Sequence, residues 1–259
     1  MLSLFSSYFR KFKVLLIEKI KRIFIFNINQ KLFSEIYMYN LPYHNEKDKE
    51  VVLQFIHQHP FAFLTGCSEK DEPVATQVPV FIEEREDKLF LTGHIMRKTD
   101  HHKVFEKNPN VLAVFTSPHT YVSATWYSNS HQASTWNYMS VHVKGLLRFL
   151  DEEGLINVLK KTTLHFENGN SQSTTIFDNL SKDYINRLIN AIVAFEIEVT
   201  AIDNVFKLSQ DRDEESYHNI IEKLEEQGSD GKYIAEEMRK RSSQLFNDKD
   251  STRDSKFEL

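Results

Sequence analysis

One cysteine, Cys67, stands in 259 residues. That excludes an internal disulfide and any zinc site built on clustered thiolates, and it fits a reducing compartment. Glycine is scarce and scattered, at 66, 93, 145, 154, 169, 228 and 231, so neither GxGxxG nor GxxxxGK(S/T) occurs. A phosphate bound here must therefore be held by side chains and a helix start rather than by a glycine cradle. Long apolar runs are missing too. Those at 14–17 and 23–26 are far short of the ~20 residues that span a bilayer, and no small-residue cleavage site follows an apolar core. The expected location is cytoplasmic.

Charge is unevenly spread. Residues 1–37 carry seven Lys/Arg against Glu18 and Glu35, while the remaining chain carries 25 basic and 35 acidic residues. A body of net −10 disfavours duplex DNA, whose affinity for proteins rests largely on phosphate neutralisation. The first 37 residues, with six Phe and six Ile, fit either a basic amphipathic helix on a membrane surface or an over-called start with Met38 as the true first residue. The abrupt change of composition at Met38 favours the second, in which the extension adds nothing to the fold.

Asn45 is placed to cap a helix running to about Gln58, with Val51, Val52, Phe55 and Ile56 as its apolar face and Pro60 as its stop. Residues 61–67, 74–81 and 88–92 read as an antiparallel meander joined by polar turns at 68–72 and 83–87. A short helix over 99–107 follows, then β-prone segments at 111–117 and 121–123 around Pro118, and a long strand over 138–150. Asp151 opens a helix to about His165; 166–179 reads as a loop and 181–191 as a helix. Residues 195–202 and 205–208 form a second alternating pair about Asp203-Asn204. Charged helices run from Asp213 to about Phe246, with a break at 228–231. The pattern predicts an α+β fold, mainly β, in which six or seven antiparallel strands close into a small barrel with flanking helices. Its layout is an extension (1–37), a barrel (38–210), C-terminal helices (211–246) and a disordered tail (247–259).

Metal and hydrolase readings are weak. His57/His59 and His101/His102 diverge on their helices, His131 and His142 lie in different segments, and HExxH is absent. Ser123 and Ser209 sit in no nucleophile elbow. Arg97 and Lys98 are better placed. They follow Gly93-His94 at a strand end and precede a helix start, so guanidinium, ammonium and unpaired backbone N–H groups converge into a phosphate seat, unless this is merely a solvated basic turn. Residues 121–145 hold both tryptophans, Trp126 and Trp136, with Tyr127 and Tyr138. Such rings commonly close a barrel end, but Asn129, Ser130, His131 and Gln132 lie between them. Aromatic faces beside amide and imidazole groups suit a planar, heteroatom-rich ligand.

These residues carry a resemblance. Met38-Tyr39 with Pro42 and His44, Pro60-Phe61-Ala62, Pro73-Val74-Ala75-Thr76 with Pro79, Gly93-His94, TWYS and STWNYMSVHVKG, Phe195-Glu196-Ile197-Glu198 and Lys207-Leu208-Ser209-Gln210 together resemble the PaiB family. These are FMN-binding proteins described as negative transcriptional regulators, within the FMN-binding split-barrel superfamily that includes pyridoxamine-phosphate oxidases. The resemblance covers Met38 to about Leu224. It implies a homodimer with FMN between subunits. Arg97 and Lys98 would seat the phosphate; Thr76, Gln77, Val78 and Pro79 would offer a strand edge; Trp126, Trp136, Asn137 and Tyr138 would wall the ring system. His94, Lys207, Ser209 and Gln210 would approach the same cleft. The segment IMRKTDHH departs from the family's usual pattern. The rival reading on the same fold is a flavin-dependent oxidoreductase or a haem-degrading relative, with His94 or His131 as the proton donor.

Overall fold

Six strands close on themselves in a computed structural model that describes residues 41–129 and 131–246. The extension over 1–37 and the tail over 247–259 lie outside those residues. The strands are β1 (Phe61–Cys67), β2 (Pro73–Arg85), β3 (Lys88–Met96), β4 (Asn110–Val122), β5 (Thr135–Phe149) and β6 (Ile192–Lys207). All pairings are antiparallel, in the ring order β1-β2-β3-β6-β5-β4. The fold is the expected antiparallel split barrel of α+β class, mainly β.

Alternation builds the interior. Ala62, Leu64, Val80, Ile82, Leu91, Ile95, Ala113, Phe115, Met139, Val141, Val143, Phe195 and Ile197 point inward and are almost wholly buried. Helix α1 (Lys49–Gln58) adds Val52, Phe55 and Ile56 to that core, and α2 (Asp100–Lys107) sets Phe105 against Gly66 of β1. Helices α3 (Glu152–Phe166) and α4 (Lys182–Ala191) lie between β5 and β6 in sequence. They pack a second cluster, Leu155, Val158 and Leu159, on the outward residues Ile192 and Ala194 of β6. Helices α5 (Glu214–Glu225) and α6 (Ser229–Phe246) bring Ile220, Leu224, Ile234 and Met238 to the barrel core.

Three local expectations are corrected. The cap of α1 is Asp48, which accepts from the Glu50 N–H at 2.9 Å, rather than Asn45. The segments around Pro118 are one strand, β4, with a shift of register between Thr116 and His119. There the Ser117 hydroxyl accepts from the Met139 N–H at 3.0 Å, supplying a bond across the irregularity. The pair about Asp203-Asn204 is also one strand. β6 stays laddered to β5 through both residues, and the Asn204 side chain bonds the backbone N–H and C=O of Glu46 instead of making a turn.

Candidate functional site

The barrel opens where β2 changes partner. From Pro73 to Pro79 it pairs with β1, and from Val80 to Arg85 with β3. The Val80 N–H donates to the Pro60 carbonyl at 2.8 Å. Antiparallel alternation then turns the backbone N–H and C=O of Ala75 and Gln77 away from β1, onto an edge that β3 has left. Among the described residues no backbone group meets them there. Gly93 stands at the parting, where a Cβ would fall 3.0 Å from the Pro79 carbonyl oxygen and 2.8 Å from the Phe195 ring. Of the four residues expected on this edge, Thr76 and Val78 face inward, with Val78 buried, while Gln77 is exposed and Pro79 half-buried.

Past Gly93, β3 runs on against β6 to Met96, and the β2–β3 register, if continued, sets Arg97 across from Thr76. The Arg97 backbone N–H donates to the Ala191 carbonyl at 2.9 Å, and its Nε to that of Ile192 at 2.8 Å, so the guanidinium is pinned by one edge. Lys98 takes a left-handed backbone, φ 67°, and Thr99 caps α2 by accepting from the His102 N–H. Both cations are exposed, and among the described residues neither has a carboxylate within ion-pair distance. In an acidic protein, an uncompensated cation pair beside an unpaired strand edge suits an anionic group attached to a heteroatom-rich ring.

A second group gathers where β4, β5 and β6 run side by side. Tyr138 lies opposite His119 on one flank and Lys207 on the other; Trp136 lies opposite Tyr121. The Trp136 ring is half exposed, with the rings of His119 and Tyr121 at 5.7 and 5.9 Å. Thr116, Ser117, His119, Trp136, Tyr138 and Met139 line a cavity of about 270 Å³ beside the register shift. Asn137, between the two rings, is fully buried; it accepts from the Ser209 hydroxyl at 3.0 Å and donates to Met238 sulfur. Ser209, itself buried at φ 60°, holds the chain as it leaves β6. Lys207 Nζ donates to the Thr135 hydroxyl at 2.6 Å, and the Gln210 amide bonds Leu208 and His44. Trp126 is half-buried against the core, while the Tyr127 ring is buried with the Arg212 guanidinium 4.8 Å from its centroid.

Between these groups runs an outward face on which, among the described residues, no helix packs. Gln77, Phe63, Val114 and His142 form one row across β2, β1, β4 and β5. Phe61, Phe63, Tyr121 and Trp136 are 58%, 44%, 47% and 50% exposed. Sequence reasoning missed Phe61, Phe63 and His119 as site candidates. The signal was the strand FAFLTGC, which alternates small or aliphatic residues inward with phenylalanine rings outward, the reverse of a solvated face. His94 stands apart from both groups, on the outward side of β3 facing α3 and α4. Burial holds its imidazole below the usual histidine range.

The closed antiparallel ring, with β2 parting from β3 at Gly93, defines a split barrel. The chain belongs to the family described as "Putative FMN-binding domain", whose model matches residues 38–201, and FMN is its cofactor. It is 32% identical over 206 residues to "Protease synthase and sporulation protein PAI 2" of Bacillus subtilis (strain 168), covering 78% of this chain and 96% of that protein, which makes it an FMN-binding protein of PaiB type. Two solved structures are similar to it. The FAD and Heme binding protein from Mycobacterium smegmatis is 13% identical, with 63% of this chain and 73% of that chain covered and a TM-score of 0.49. The flavocytochrome Anf3 from Azotobacter vinelandii is 16% identical, with 66% and 72% covered and a TM-score of 0.48.

Proposed function

We propose that two copies of this chain hold FMN in a shared crevice on this outward face, and that the dimer acts as a negative transcriptional regulator by responding to flavin rather than by gripping a duplex. The observation that carries the reading is the parting of β2 from β3 beside two cations that have no carboxylate partner among the described residues. Arg97 and Lys98 would take the phosphate; the backbone of Ala75 and Gln77 would meet the heteroatom edge of the ring; Trp136, Tyr138 and His119 would wall it. Bound there, FMN supplies one- and two-electron redox chemistry, while the protein's residues bind it, orient it and exclude water.

The dimer is supported by the four outward rings, whose half-exposed apolar area is of the kind that marks interfaces. Regulation through flavin is supported by charge. Of the four cations on α6 that would meet a duplex, Arg239 pairs with Glu225, Lys240 with Glu236 and Glu237, and Arg241 with Glu237 and Glu46, which leaves Lys232 without a carboxylate in ion-pair distance among the described residues. No helix among the described residues is long and apolar enough to cross a membrane.

The test is Arg97→Ala combined with Lys98→Ala, read by fluorescence titration with FMN and with riboflavin. FMN affinity should fall at least tenfold and riboflavin affinity should change little, because only FMN carries the phosphate. Equal loss of both would place the phosphate elsewhere. A wild-type sample that is colourless as purified and takes up no added FMN would end the reading, and salt-sensitive retention of a DNA duplex would end its regulatory part.

A further inference from the structure

The helices α3 and α4 cover one outward face of the barrel but do not fill the space beneath them. A cavity of about 740 Å³ remains, lined by His94 and Met96 of β3, Leu159, Thr162 and Thr163 of α3, Thr175, Leu180 and Ser181 of the connection, Tyr184, Arg187 and Leu188 of α4, and Ile192 of β6. The cleft is open to solvent along one side, and its volume falls in the range of small-molecule sites, roughly 300 to 1,000 Å³. Its floor is made by Leu159, Ile192 and the ring of His94; its rim is exposed at Ser181, Tyr184 and Arg187. The lining contains no acidic residue.

The hydroxyls around it are mostly occupied by the protein itself. Thr162 donates to the Val158 carbonyl at 2.7 Å, Thr163 to that of Leu159 at 2.9 Å, and Ser181 accepts from the Tyr184 N–H. Two of the lining side chains can still take a polar ligand, the His94 ring and the Arg187 guanidinium. His94 Nδ1 is buried and has no hydrogen-bond partner. Arg187, on the rim, has no carboxylate within ion-pair distance among the described residues.

We infer that this cleft is a second binding site, separate from the flavin face, for a small amphipathic carboxylate whose far end carries one hydrogen-bonding atom. The carboxylate meets Arg187 at the rim, a slender apolar or aromatic body lies against Leu159 and Ile192, and the terminal polar atom reaches His94. An anion fits and a cation does not, because the only charged side chain on the lining is a guanidinium.

Equilibrium titration of the flavin-loaded full chain with 4-hydroxyphenylacetate, phenylacetate and 4-hydroxyphenylacetamide tests each part. The hydroxylated acid should bind saturably. Removing the hydroxyl or converting the acid to the amide should each weaken binding about tenfold or more. In Arg187→Gln the acid should bind no better than the amide, and in His94→Phe the preference for the hydroxyl should vanish, with the flavin spectrum and far-ultraviolet circular dichroism unchanged in both. The proposal fails if no saturable binding of 4-hydroxyphenylacetate occurs up to millimolar concentration. It fails equally if the amide binds as well as the acid, or if Arg187→Gln leaves the affinity where it was.

Discussion

Outward Ile192 and Ala194 of β6 lie beneath a helical lid, whereas among the described residues Phe61 and Phe63 of β1, Tyr121 of β4 and Trp136 of β5 meet solvent. The covered face buries Ile192 and Ala194 under Leu155, Val158 and Leu159, and sets Phe81 of β2 edge-on to His165 at 5.0 Å. The uncovered face leaves Phe61, Phe63, Tyr121 and Trp136 about half exposed. Both arise from the same two-residue alternation, so strand pattern alone does not decide their fates. What differs is the insertion over residues 151–191, which supplies helices to one face only. Full burial of a large apolar side chain is worth roughly 1.5–3 kcal/mol, so four half-exposed rings hold a comparable reserve that a second copy of the chain would realise. The difference teaches that the lid is internal on one side and, in the proposed dimer, another protomer on the other.

Two substitutions should separate the faces most sharply. Leu155, 1% exposed under the lid, should cost about 3 kcal/mol when changed to Ala, seen as a large drop in Tm at any protein concentration. Phe63→Asp on the open face should leave the fold intact but shift the protein from dimer to monomer in sedimentation at micromolar concentration, with flavin affinity lost alongside. A Phe63→Asp protein that still sediments as the wild-type dimer would remove this face from the interface.

A smaller effect is expected within the covered face. The Glu196 carboxylate is buried, with Arg148 Nη2 at 2.6 Å and Arg85 also paired to it, so one residue of β6 ties together the ends of β2 and β5. Both arginines are substantially exposed, which screens the pairs, and Glu196→Ala should therefore cost about 2 kcal/mol rather than the larger loss of a fully buried pair. Chemical denaturation would measure it. An unchanged unfolding midpoint would show that the two arginines are held by solvent as well as by the carboxylate.

The sequence made the barrel and its helices legible because alternation and helix starts are local: the helices expected from Thr99, Asp151, Ser181 and Asp213 do begin there, with those residues as their caps, although the cap named for α1, Asn45, was not. It was misleading where a turn-type residue serves a distant partner. Asp203 and Asn204 look like a hairpin tip, yet Asp203 pairs with Lys144 at 3.0 Å and Asn204 bonds the segment before α1. The site was legible as a set of residue types but not as a grouping. Trp136 and Tyr138 point outward while Asn137 between them is buried, which follows from register and not from composition. His94, next to Gly93 in sequence, turns to the opposite side of β3 from the core, and only the placement of α3 and α4 shows what it faces.

The weakest expected effect separates the faces by titration. Burial holds the imidazoles of His44, His94 and His142 below their ordinary value of 6.5. Each is therefore neutral in the fold under conditions where the unfolded chain already binds a proton, so stability is full above about pH 7 and declines as pH falls through 6.5 and on through the lower folded values. The carboxylates add their loss later. Glu167, whose group accepts from Thr175 and Ser173, is held below 4.5, so its contribution disappears only as pH falls below that value. Between pH 7 and 5.5 the decline in Tm should therefore belong to the histidines. His94→Phe, under the lid, should flatten it at every protein concentration. His142→Phe lies in the row with Gln77 and Phe63, and it should flatten the decline more at concentrations where the dimer forms than where it dissociates. A Tm that holds level from pH 7 to 5.5 in the wild type would show that these rings are hydrated in both faces alike.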